Sequence, residues 1–122
     1  MQKGKQNIFI TGGAGYVGAV LVPKLLANGD RVTVYDLLIF GKNVLKPHPN
    51  LSIIKGDIRN IDLLSKTLKN HDVVIHLAAQ VPSPGGAETQ SRKSFFTVNR
   101  DGTAKLAEQA VSAGVKRVVF IS

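Results

Sequence analysis

The chain has 122 residues, 43% of them hydrophobic and 20% charged, a balance that suits one globular domain with its own core and excludes a disordered chain. It has no cysteine, which excludes a disulfide framework and a thiolate metal site and agrees with a reducing cytoplasm. The formal charge of +8 comes from basic residues scattered along the chain, with no basic block, so it is read as a solvated surface and not as a nucleic-acid face.

The N-terminal Met1-Gln2-Lys3-Gly4-Lys5-Gln6-Asn7 has the charge of a signal peptide's start but lacks the long apolar core that would follow one, and no run reaches membrane-spanning length. Asn7 to Thr11 forms a first predicted strand, apolar enough to be buried on both faces as a central parallel strand is. Next comes Thr11-Gly12-Gly13-Ala14-Gly15-Tyr16-Val17-Gly18, a glycine-rich turn placed between that strand and an amphipathic segment carrying Val17, Val20, Leu21 and Leu25. Such a turn suits a phosphate. Gly12 can take backbone angles closed to other residues, Gly15 lets the main chain approach a pyrophosphate, and Gly18 lets the helix lie close on the strand. The helix starting there aims its unpaired N–H groups at the anion. Pro23 lies inside the helix and predicts a kink or a solvent-side accommodation, and Asn28-Gly29 supplies the stop.

Arg31 to Asp36 is the second predicted strand, with Asp36 at its carboxyl end. An acidic residue there can accept both ribose hydroxyls of an adenosine, and it repels a 2′-phosphate. No arginine follows before Arg59, so the expected cofactor is NAD and not NADP; the plainer alternative for Asp36 is a turn-forming aspartate. Residues 37–50 are a connection with one helical turn before Pro47 and Pro49, and His48 is expected to be an exposed loop residue without a partner.

Leu51 to Lys55 is a third strand, closed by Gly56-Asp57-Ile58. Asp57 can accept a hydrogen bond from the exocyclic amine of an adenine while Ile58 packs on the ring, or Asp57 can cap the following helix over Asp62 to Leu68. Val73 to Leu77 is a fourth strand, followed by Ala78-Ala79, small enough for a cofactor to lie against the backbone. His76 has no acid or nucleophile paired with it and is expected to be a satisfied core histidine. Residues 81–92, with Pro82, Pro84, Gly85 and Gly86, form a loop that is either a substrate lid or a plain connection. A long helix from Lys93 to Ala113, stopped by Gly114, leads to a fifth strand over Arg117 to Ile121.

Alternating strands and helices with this glycine turn and Asp36 predict an α/β fold, a Rossmann-type doubly wound parallel sheet of five strands. Thr11-Gly12-x-x-Gly15-x-x-Gly18, Asp36, Gly56-Asp57-Ile58, His76-Leu77-Ala78-Ala79, Val98-Asn99-x-x-Gly102-Thr103 and Arg117 to Ser122 together resemble the extended short-chain dehydrogenase/reductases. Within them the chain is most similar to the NAD-dependent epimerase/dehydratase group acting on nucleotide sugars. The resemblance implies that Gly12, Gly15 and Gly18 with the backbone around Tyr16-Val17 hold the pyrophosphate, Asp36 the adenosine ribose, and Asp57 with Ile58 the adenine. It also implies that Leu77, Ala78 and Ala79 line the nicotinamide-side ribose, that Asn99 lies near the catalytic end, and that members associate as homo-oligomers.

That family uses a Tyr followed four residues later by Lys, and the sequence has no such pair: Tyr16 is followed by Val20 and Tyr35 by Ile39. No catalytic residue is therefore assigned. The expectation is that residues 1–122 are the N-terminal, NAD-binding part of a longer enzyme, truncated after the fifth strand, with its nucleotide-sugar site in the missing part. A non-catalytic dinucleotide sensor of the same fold is the alternative. Ending on an apolar strand, the isolated chain is expected to self-associate.

Overall fold

The computed structural model describes residues 5–13, 16–37, 45–77 and 102–121, with the main chain alone for Tyr16. Most of the predicted helical turn within 37–50, the whole 81–92 loop, residues 93–101 of the long helix and Ser122 lie outside the described residues.

The elements run β1 (Asn7–Thr11), α1 (Tyr16–Ala27), β2 (Arg31–Asp36), β3 (Leu51–Lys55), α2 (Ile61–Leu68), β4 (Val73–His76), then α3, described over residues 102–112, and β5 (Arg117–Phe120). The five strands form one parallel sheet in the order β3-β2-β1-β4-β5, so the chain moves outward from β1 to one edge and returns to build the other. This is the doubly wound α/β arrangement expected from the sequence. Boundaries differ by one residue: β4 stops at His76, β5 at Phe120 and α3 at residue 112, each one short of expectation, and α2 starts at Ile61, one before Asp62.

Side chains of a strand alternate between faces, and β1 uses both. Ile8 and Ile10 join Val32, Val34, Val22 and Leu26 in a core on the α1 face. Phe9 joins Tyr35, Val74, Leu64, Leu68 and Leu106 on the opposite face, under α2 and α3. Each helix lends one stripe to its core. In α1 Pro23 falls on the exposed side, so the helix runs on past it and the ring projects away from the core.

Helix ends are closed by local chemistry. At the end of α1, Gly29 takes φ +93°, its N–H donates to the Leu26 carbonyl at 3.0 Å and that of Asp30 to the Leu25 carbonyl at 3.2 Å. The same motif recurs after α3, where Gly114 takes φ +80° and the Val115 N–H donates to the Ala110 carbonyl at 3.0 Å. Asn60 caps α2 by accepting from the Leu63 N–H at 3.2 Å, so the cap that the sequence offered to Asp57 belongs to Asn60. His48 is exposed as expected but has a partner, its Nδ1 accepting the Asn50 N–H at 3.0 Å.

Candidate functional site

Parallel pairing brings the carboxyl ends of all strands to one edge. Thr11 is in register with Tyr35 on one side and His76 on the other, and Asp36 with Lys55. Thr11-Gly12-Gly13, Asp36, Gly56-Asp57-Ile58 and Leu77 therefore meet along that edge, around the gap between β1 and β4 where the strand order reverses. Ligands of open α/β sheets bind at such a reversal.

The described part of the glycine turn is held by a positive φ and by close packing that only glycine allows. Gly12 adopts φ +75°, and its N–H extends the ladder to the Tyr35 carbonyl at 2.9 Å. A side chain on Gly18 would overlap the carbonyl of Gly13, so α1 is drawn down onto the end of β1 with its first turn over the edge. Gly13 has no role in the sequence reading. Its packing supplies one: a Cβ there would lie 2.9 Å from Val34 Cγ2 and 3.2 Å from Ile10 Cγ2. Val17, in the first turn of α1, is exposed. Gly15, Ala78, Ala79, Asn99 and the side chain of Tyr16 lie outside the described residues.

Asp36 is half-buried at the end of β2, and its carbonyl accepts the Gly56 N–H at 2.9 Å. That bond carries the β2–β3 pairing into the Gly56-Asp57-Ile58 corner. The buried Tyr35 fixes the same corner by donating its phenol to the Asp57 carbonyl at 2.7 Å. Gly56 leaves room for the ring: a Cβ would stand 2.5 Å from Tyr35 Cζ. Burial, followed by the charge of Asp57, pushes the Tyr35 phenol up, so it stays a neutral donor.

The Asp57 carboxylate accepts from the Arg59 N–H at 2.8 Å, Nε at 3.0 Å and Nη2 at 2.6 Å. These bonds to the Arg59 side chain, outweighing partial desolvation, hold Asp57 below the usual carboxylate range. It is an ionised acceptor at neutral pH. Ile58 is only 8% exposed and packs into the core with Leu64 and Leu106. Its Cδ1 lies 2.6 Å from where a Cβ on Gly102 would stand. The sequence reading put this side chain on an adenine ring; packing against α3 spends it in the core and leaves its main chain at the edge.

His76 is a satisfied core histidine. Its Nδ1 lies 2.6 Å from Thr11 Oγ1, its Nε2 3.2 Å from Thr103 Oγ1, and the edge of its ring meets Phe120 at 5.8 Å between centroids. Burial holds its pKa below the ordinary 6.5, so the ring is neutral at pH 7. Leu77, partly buried against the α1-side core, donates its N–H to the Thr11 carbonyl at 2.9 Å. The structure thus joins motifs that are far apart in sequence: Gly102 packs on the Gly56-Asp57-Ile58 corner and Thr103 on the end of β4.

A cavity of about 430 Å³ lies at the opposite, amino edge of the sheet, among Asn7, Arg31, Thr33, Asn50 and His71; no motif residue lines it. Among the described residues no group of three His, Asp or Glu could hold a metal ion, and no helix is long and apolar enough to cross a membrane.

Comparison with known proteins agrees with this geometry. The chain is 37% identical over 118 residues to 3 beta-hydroxysteroid dehydrogenase/Delta 5-->4-isomerase of Mycobacterium tuberculosis, covering 95% of this chain and 31% of that protein. It is 34% identical over 127 residues to dTDP-glucose 4,6-dehydratase of Streptomyces niveus, covering 95% and 37%. The crystal structure of the Bordetella bronchiseptica enzyme WbmG in complex with NAD superposes with a TM-score of 0.83 at 31% identity, over 98% of this chain and 38% of that one. The chain spans about a third of the length of these relatives. The model of the NAD dependent epimerase/dehydratase family matches residues 8–122, and the chain belongs to that family.

Proposed function

We propose that this chain is the NAD-binding part of an enzyme that transfers hydride at a carbinol carbon of a nucleotide sugar. The observation that carries this reading is that Gly12, Gly13 and Gly18 lie with Asp36 and the Asp57 corner along the carboxyl edge of the sheet, beside the strand-order reversal. NAD, when bound, accepts the hydride of a C–H bond and can return it. Gly12, Gly15 and Gly18 with the main chain of Tyr16-Val17 would hold its pyrophosphate, Asp36 the adenosine ribose, and the Asp57 carboxylate with the Ile58 main chain the adenine. Leu77, Ala78 and Ala79 would face the nicotinamide-side ribose, with Asn99 beyond them. The proton acceptor for the sugar hydroxyl, a Tyr-x-x-x-Lys pair, is assigned to a continuation of the chain. We place the whole protein in the cytoplasm as a homo-oligomer without a nucleic-acid or membrane partner.

The named relatives are enzymes, which favours this reading over a non-catalytic sensor. The steroid dehydrogenase among them supports a second substrate class, a steroid alcohol, oxidised by the same hydride transfer. Calorimetric titration of the folded chain tests the cofactor half. NAD is expected to bind more tightly than NADP, and Asp36→Asn to weaken NAD by about tenfold, the loss of hydrogen bonds to a charged group. No NAD binding, or a preference for NADP, would sink the reading. Offering a full-length protein UDP- or dTDP-sugars beside a 3β-hydroxysteroid separates the substrate classes.

A further inference from the structure

The strand-order reversal is the place where an open α/β sheet receives its ligand, and here it is bridged by one side chain. His76 ends β4, and its Nδ1 lies 2.6 Å from the hydroxyl of Thr11, the residue immediately before Gly12 of the glycine turn. Its Nε2 lies 3.2 Å from the hydroxyl of Thr103 on α3. The ring is 7% exposed. A neutral imidazole has one donor and one acceptor nitrogen. The shorter contact suits a Thr11 hydroxyl donating to Nδ1, which leaves Nε2–H to donate to Thr103 Oγ1. Both ring nitrogens are thereby used to link elements on the two sides of the reversal.

We propose that His76 is a positioning residue of the dinucleotide site, holding the glycine turn of β1 and the helix α3 at a fixed separation through Thr11 and Thr103. This inference rests on the NAD-binding reading above. It assigns a role in ligand binding to two residues, His76 and Thr103, that need not touch the ligand. On the other side of β1, β2 and β3 are tied to the turn and to each other by bonds that do not pass through His76: Gly12 N–H to the Tyr35 carbonyl and Gly56 N–H to the Asp36 carbonyl, each 2.9 Å, and the Tyr35 phenol to the Asp57 carbonyl at 2.7 Å. The adenosine side therefore has ties of its own besides its packing on α3 where Ile58 meets Gly102, so it depends less on His76. The side of the site that reaches β4 and α3 depends on it.

That asymmetry sets the test. NAD, which spans both sides, and AMP, which needs only the β1–β2–β3 side, are titrated into the wild-type chain, His76→Leu and Thr103→Val. Thr103→Val keeps the buried ring in place and removes only the outer hydroxyl, so it serves if His76→Leu does not fold. Circular dichroism and urea unfolding establish that each variant is folded. His76→Leu is expected to weaken NAD by about tenfold and Thr103→Val by about fivefold, the scale of one or two hydrogen bonds, with AMP changed less than about twofold. Equal weakening of NAD and AMP would mean that His76 merely stabilises the sheet and would overturn the inference. So would unchanged NAD affinity in folded variants of a wild type that binds NAD. Absence of NAD binding by the wild-type chain itself would remove the dinucleotide reading first and this inference with it.

Discussion

Strands β1 and β5 are written in nearly the same alphabet, Ile8-Phe9-Ile10 against Val118-Val119-Phe120, and the fold treats them differently. Phe9 and Ile10 are fully buried, whereas Val119, Phe120 and Ile121 are 37%, 50% and 44% exposed. β1 is paired on both sides and covered on both faces; among the described residues β5 pairs with β4 alone. An apolar strand acquires its burial from its neighbours in the sheet. The inner strand supplies residues to both cores and sets the position of its glycine turn, and among the described residues the outer one presents an apolar edge.

The contrast can be broken from its strong side first. Phe9→Ala empties a site on the α2 and α3 face and should cost about 4 kcal/mol in urea unfolding, enough to leave much of the chain unfolded. Gly18→Ala forces a methyl group against the Gly13 carbonyl, a main-chain atom that cannot turn aside; roughly 3 kcal/mol is expected, with loss of NAD binding in a titration of whatever remains folded. A loss below the cost of an ordinary surface change at either position would mean that the inner strand is not the anchor described here.

Next comes acid. His76 has a folded-state pKa below the 6.5 of the free side chain because burial disfavours its charge. As the pH falls below about 6.5 the unfolded chain therefore takes up the proton before the folded one. The contribution of this group is full above that pH and is lost as the pH drops through the folded-state value. Urea midpoints measured between pH 8 and pH 5 should fall on the acid side, and the fall should shrink in a folded His76→Leu chain.

The smallest effect belongs to the outer strand. Val119→Lys, at a position already over one-third exposed, should change stability by no more than about 0.5 kcal/mol while suppressing self-association in sedimentation, as a charged edge does. A large destabilisation there would make β5 as structural as β1.

Much of this was legible in the residues. The strand and helix ranges, the glycine turn, Asp36 at the end of β2 and the buried, neutral His76 follow from local patterns, because period, turn chemistry and capping act over a few residues. What was not legible depends on contacts between distant residues. Tyr35 finds the Asp57 carbonyl 22 residues on, His76 finds Thr11 across 65 residues and Thr103 across 27. The doubled glycine at Gly12-Gly13 was visible as a pattern, but that Gly13 faces Val34 and Ile10 needed the packing of β2 beside β1. Ile58 read as an adenine contact for the same reason: its sequence neighbours place it at the edge, and only α3 shows that its side chain is taken.

By itself, then, the sequence determined which segments are strands and helices, that the sheet is parallel, and that a glycine-rich turn and a carboxylate, proposed for a pyrophosphate and a ribose, lie at the ends of the first two strands. These are local or nearest-neighbour properties. The tertiary structure alone decided which of two similar apolar strands is buried, that Gly18 closes on Gly13, that Tyr35 and Arg59 fix the Asp57 corner, and that His76 bridges β1 and α3. The burial of one strand and not the other, the Tyr35 bond and the His76 bridge depend on strand order, which places residues remote in the chain within bonding distance, while Gly18 on Gly13 and Arg59 on Asp57 are short-range contacts set by how the turn and the corner fold.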